Sequence, residues 1–176
     1  MKRVISIGIF GVLVLVLAAV ITWESLVGGV PQIASKQDAV ALMWRPSVFT
    51  DRHGVFLDVR GKQARLGDDY LSTDLKHALL APLGCLRFLD EPQQECAARL
   101  AAAIVDQLPG AFGEINPQSV KGRVWQYHLN AQLRRLSADA LLQVYAQAVP
   151  VGKGMHGVHM AAHQWFGKPV KQLTFL

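Results

Sequence analysis

The sequence predicts a mainly α-helical domain with one small β-hairpin, set behind a single N-terminal transmembrane helix. Three observations predict this. From Val4 to Trp23 there are twenty residues without a charge, and about 20 apolar residues span a bilayer as a helix. Later stretches rich in alanine and leucine, or with apolar residues at helical spacing, are closed by proline or glycine. Two β-rich runs flank a single turn-like cluster, Asp51-Arg52-His53-Gly54.

The elements divide into four segments. Residues 1–3, Met1-Lys2-Arg3, carry positive charge ahead of the apolar run, which places this end in the cytoplasm. Residues 4–23 are read as an uncleaved signal anchor, with Trp23 at the interface. A cleaved signal peptide is the alternative, but its apolar stretch is normally shorter and no small-x-small site follows Ala19. Residues 24–46 contain Gly28, Gly29 and Pro31 and read as a stalk. Residues 47–176 form the exported domain, opening with the hairpin over 47–59.

Helices fill the rest. Ser72-Thr73-Asp74 can cap a helix over Leu75 to Leu80, which Pro82-Leu83-Gly84 ends. Glu95 to Leu108 makes a second, stopping at Pro109-Gly110. Ser119 to Arg135 keeps a loose helical period. Ser137 caps the next, whose apolar side is Leu141, Leu142, Val144 and Tyr145 and which Pro150 breaks. Gly152, Gly154 and Gly157 permit a tight irregular turn before a last helix over Val158 to Trp165.

Charge and cysteine usage fit an exported domain. Without Lys2 and Arg3, 16 basic residues face 13 acidic ones, an excess that suits an anionic neighbour such as a membrane surface or lipid pyrophosphate. No nucleic-acid motif is present. Cys85 and Cys96 are a candidate disulfide in an oxidising compartment, the alternative being two small buried thiols.

The run from Leu136 to Lys168, L-S-A-D-A-L-L-Q-V-Y-A-Q-A-V-P-V-G-K-G-M-H-G-V-H-M-A-A-H-Q-W-F-G-K, carries a family resemblance. It resembles the peptidoglycan glycosyltransferase domain (family 51), the transglycosylase half of class A penicillin-binding proteins. That family shows S-K-x-x-I-L-E-x-Y-L-N and then F-G-x-G-x-x-G-v-x-x-A-A-x-x-Y-F-G-K at this spacing. The resemblance implies a lysozyme-like helical fold, shortened at its C-terminus. It implies packing and turn roles for Tyr145, Gly152, Gly154, Gly157, Ala161, Ala162, Phe166, Gly167 and Lys168.

It also implies a chemistry whose residues are missing. The family polymerises lipid II, using a carboxylate as base and cations to hold the departing pyrophosphate. The first acidic motif, A-x-E-D-x-x-F, aligns from Ala81 and puts Leu83 at its glutamate and Gly84 at its aspartate; Phe88 falls one residue late. The motif G-x-S-T-I-T-Q-Q falls on Cys96 to Ala103, where Ala98, Ala101, Ala102 and Ala103 stand for four of its polar residues and Arg99 for the fifth. The motif R-K-x-x-E falls on Lys121, Gly122 and Trp125, so a tryptophan takes the second glutamate. In the fourth motif Ala138 replaces the lysine, Gln143 the glutamate and Gln147 the asparagine.

Other side chains supply the remaining candidates. Lys121, Arg123 and Arg87 are the cations available to an anionic ligand. Glu91 and Glu95 are the acids that could stand in for the lost base, although acids are also favoured at an exposed helix start. His156, His159 and His163 are spaced three and four apart, as metal ligands on one helix face are. Neither H-E-x-x-H nor a cysteine ligand accompanies them, so no metal or other cofactor is expected.

These readings converge on a bitopic inner-membrane protein with a periplasmic, transglycosylase-like domain that is not catalytic. Its expected role is to bind lipid II, glycan strands or a cell-wall synthesis protein. The alternative is a divergent, active peptidoglycan glycosyltransferase.

Overall fold

The computed structural model describes residues 2–43, 47–50, 56–60, 71–108, 112, 114–152 and 155–173. Helix α1 spans Lys2–Val27 and α2 Lys36–Met43. Strands β1 (Ser47–Thr50) and β2 (Phe56–Arg60) pair antiparallel, with Val48 opposite Val59. The turn expected at 51–54 lies outside the described residues. Helices α3 (Thr73–Leu80), α4 (Gln94–Val105), α5 (Val120–Leu133) and α6 (Ala138–Ala148) follow. Short strands β3 (Pro150–Gly152) and β4 (Met155–His156) then pair ahead of α7 (Val158–Phe166).

Serine side chains start three of the helices by accepting from a backbone N–H that has no helical partner. Ser72 Oγ accepts from Leu75 N, Ser119 Oγ from Gly122 N and Ser137 Oγ from Ala140 N. Helix α3 tightens into a 3-10 turn over Ala81–Leu83, and Gly84 ends it at φ 68°. That left-handed conformation is the reason for a glycine here.

Helix α6 is the centre of the domain. Leu141, Leu142, Gln143, Val144, Tyr145 and Ala146 are buried in succession, so it is covered nearly all round. It packs against α4, α2 and α7, while α5 lies against α4 and the end of α1. Leu80, Leu100, Ile104, Leu129, Leu133, Leu141 and Leu142 make the continuous core. Each such side chain contributes about 1.5–3 kcal/mol on burial.

Cys85 and Cys96 are joined, with Cα atoms 5.7 Å apart. The bond ties the turn after α3 to the first turn of α4, beside buried Phe88.

Two expectations change. Within the segment 24–46, read as a stalk, residues 30–43 fold onto the domain. Ile33 and Ala39 are buried, with Val40, Leu42 and Met43 partly so. Ser35 and Asp38 start α2 as a reciprocal box: Asp38 Oδ2 accepts from Ser35 N at 2.8 Å and Asp38 N donates to Ser35 Oγ at 3.3 Å. Glycine and proline mark a turn here, and apolar residues beyond it are too many to leave in water. Second, the histidine triplet does not share a helix face. His156 lies on β4 and Gly157 turns the chain before α7 begins, so spacing in sequence is not spacing on a helix. The His163 side chain is outside the described residues.

Among the described residues no helix is long and apolar enough to cross a membrane. Side chains of α1 are described from Val12 onward, so the expected span over 4–23 falls partly outside them.

Candidate functional site

An open groove of about 430 Å³ runs between α4 and α5. It is lined by Ala102, Val105 and Asp106 from the end of α4, and by Arg123, Gln126, Tyr127 and Asn130 from α5. The α5 residues recur every three or four positions, which puts them on one side of a helix. Arg123 is the cation and Asp106 the carboxylate of this lining, and both are exposed. Arg123 suits a planar, doubly hydrogen-bonded contact with phosphate or carboxylate. Asn130, Gln126 and the Tyr127 hydroxyl add neutral donors and acceptors suited to sugar hydroxyls. Ala102 gives the α4 wall a methyl group where the resembling motif has glutamine.

The other expected cations are elsewhere. Lys121 extends over the indole of Trp125, its Nζ 5.8 Å from the ring centroid. Arg87 is exposed on the turn that follows Cys85. So Arg123 alone of the three lines the groove.

The positions aligned with the lost acids carry structural side chains. Leu83 packs against the core, and its carbonyl accepts from Arg99 Nη1 at 2.9 Å. Trp125 is 7% exposed, stacks obliquely near Phe112, and donates Nε1–H to Leu26 O at 3.0 Å. Gly122 lies against the loop that precedes α5: a Cβ there would overlap Asn116 O and the Pro117 backbone. The substitute acids are no better placed. Glu95 is bound to Arg99 Nη2 at 2.6 Å on an exposed surface, and Glu91 is exposed. Neither lines the groove.

Gln143, at the fourth motif's glutamate, is buried within a polar chain. Its Nε2 donates to Asp139 Oδ2 at 2.5 Å, its Oε1 accepts from Lys36 Nζ at 2.9 Å, and Asp139 pairs with Lys76 at 2.7 Å. The chain links α2, α3 and α6. Tyr145 is buried nearby, and burial lifts its phenol above the ordinary value.

Of the remaining family-like positions, Ala161 and Ala162 are buried. Gly157 (φ 86°) comes within contact of the Gln147 carbonyl. Gly152 and Gly167 also have positive φ. Phe166 and Lys168 are exposed rather than packed. Gly154 lies outside the described residues. Among these no group of histidines, cysteines and acids could hold a metal.

Comparison with known proteins now bears on this arrangement. The family described as Transglycosylase matches residues 96–176. That segment, under half of the chain, is thus similar to this family. Penicillin-binding protein 1A of Clostridium tetani (strain Massachusetts / E88) is 33% identical over 58 residues, 32% of this chain and 7% of that protein. The aligned part is therefore a small fraction of the relative's length. No solved structure matches. The matched segment contains α4 from Cys96 onward and all of α5, α6 and α7, hence every residue lining the groove.

Asp106, Gln126, Tyr127 and Asn130 were not singled out by sequence. Three of them have a signal in retrospect: with Arg123 they form the polar side of α5, opposite Trp125, Leu129 and Leu133. Asp106 had none, because its place beside Arg123 depends on how α4 crosses α5.

Proposed function

We propose that this protein is a membrane-anchored, transglycosylase-like module of the cell envelope that binds glycan or its lipid-linked precursor without polymerising it. The observation that carries the reading is the use of Leu83 and Trp125 in packing, at the places where the resemblance puts its two glutamates. Neither side chain can accept a proton. A positioned general base typically contributes about 10²–10⁴ in rate, and here two acids and the polar second motif are absent together. The groove carries one cation, one exposed carboxylate and several neutral polar groups, a lining suited to holding a sugar-phosphate.

The anchored, periplasmic placement rests on Lys2-Arg3 ahead of an uncharged run, and on exposed apolar side chains from Val12 to Trp23. Lipid II, glycan strands and a cell-wall synthesis protein are the partners this placement offers.

One observation favours the alternative of an active, divergent polymerase: the Asp106 carboxylate lines the same groove as Arg123. The test is incubation of purified full-length protein with labelled lipid II, followed by separation of glycan products. We expect no polymer at any protein concentration, and saturable co-sedimentation with purified glycan that Arg123→Ala weakens. Leu83→Glu alone should restore nothing. Polymer that disappears in Asp106→Asn would establish the alternative.

A further inference from the structure

The last turn of α7 stands clear of the fold. Trp165 and Phe166 are 56% and 59% exposed, Met160 is exposed one turn earlier, and Gly167, Lys168 and Pro169 continue the exposed stretch. Large aromatics are costly to leave in water, and their neighbours Ala161 and Ala162 already face inward. The sequence around the tip carries one sign of charge. From residue 140 to the end the sequence contains Lys153, Lys168 and Lys171 but neither aspartate nor glutamate. The last preceding acid, Asp139, is paired with Lys76.

From these observations we infer that the tip of α7 is a second membrane contact, which inserts Trp165 and Phe166 into the interfacial layer of an anionic bilayer with Lys168 at the headgroups. Tryptophan is favoured at the level of the headgroups. An adjacent lysine is drawn to an anionic surface. The exposed Lys168 beside the two aromatics pairs a cation with amphipathic rings, a combination suited to an anionic interface. Together with α1 the contact would hold the domain at two points, which fixes its tilt and the height of the α4–α5 groove. The inference rests on the membrane-anchored reading, and the test separates the two.

Full-length protein is reconstituted in vesicles of phosphatidylcholine and phosphatidylglycerol whose phosphatidylcholine carries brominated acyl chains, which quench nearby tryptophan. Trp23→Phe removes the α1 reporter. In that background, where Trp44 and Trp125 remain, we expect quenching that Trp165→Phe lowers. It should also fall in vesicles lacking phosphatidylglycerol and in Lys168→Glu. Raising salt to 1 M, where screening acts within about 3 Å, should reduce it as well. Trp165 is exposed, so its replacement leaves the core intact. Equal quenching with and without Trp165, while the protein still floats with the vesicles, would overturn the tip contact and leave the anchor standing. Failure to float would overturn both. Hydrogen-exchange protection of residues 158–168 that rises with protein concentration in lipid-free detergent would assign the tip to a second copy of the chain and overturn the proposal.

Discussion

Helices α6 and α7 differ from α3, α4 and α5 in what the same family resemblance turns into. In α6 and the start of α7 the family-like residues do the packing: Tyr145, Ala161 and Ala162 are buried, and Gly157 lies against the Gln147 backbone. From the end of α3 to α5 the positions aligned with the family's acids carry packing residues. Leu83 meets the core, Gly122 admits a loop, and Trp125 ties α5 to the end of α1. A scaffold position is held by volume and backbone geometry, which every copy of the fold needs. A catalytic position is held by reaction chemistry alone. Once that chemistry is not required, the site is open to side chains that stabilise the fold.

The sharpest way to break this comparison is to put an acid back. Trp125→Glu should destabilise the protein by about 3–5 kcal/mol, the scale of losing a buried aromatic, and restore no polymerisation. Denaturant unfolding alongside the lipid II assay reads both; a stable, active variant would mean that the position is still catalytic. Gly122→Val should cost about 3 kcal/mol, because its Cβ would overlap the Asn116 carbonyl and the Pro117 backbone. The same change at Gly152, where nothing lies within 4 Å of a Cβ, should cost less and only through backbone strain. A thermal-shift comparison of the two decides it.

Removing the bond with Cys96→Ser should lower stability by roughly 3 kcal/mol at most, as expected for closing so short a loop. Two free thiols in the isolated native protein would remove that role. A smaller, pH-dependent effect belongs to Asp38. Hydrogen bonds from the Ser35 side chain and from the Ser35 and Ala34 backbone hold its carboxyl below the usual carboxylate range. A depressed pKa favours the folded state above the unfolded value, near 3.8, and this gain fades as pH falls through the folded value. Asp38→Asn should therefore lower stability slightly at neutral pH, leave it nearly unchanged below the folded value, and so flatten the acid limb of the stability curve. The smallest effect is expected for Glu95→Gln, within about 0.5 kcal/mol, since its partner Arg99 is exposed and keeps its bond to the Leu83 carbonyl.

The helices were legible wherever a local signal ends them. Ser72, Ser119 and Ser137 cap three helices by contacts within four residues, and Gly84 ends a turn by its own φ. Helix α2 was missed because Gly28, Gly29 and Pro31 dominate that stretch, while its stability comes from burial on α6. Strands β3 and β4 were missed because glycine spacing signals a turn equally well without pairing.

By itself the sequence determined the helical class, the family-like run from Leu136 to Lys168, and the lack of acids at the aligned motif positions. All three are properties of neighbouring residues, set by periodicity, capping and composition. Only the tertiary structure decided that Trp125 reaches back to Leu26, that Gln143 joins Lys36 to Asp139, and that Asp106 and Arg123 line one groove. Those pairs come from separate elements. Their meeting depends on how close-packed helices cross, which is fixed by the whole core rather than by any one stretch of chain.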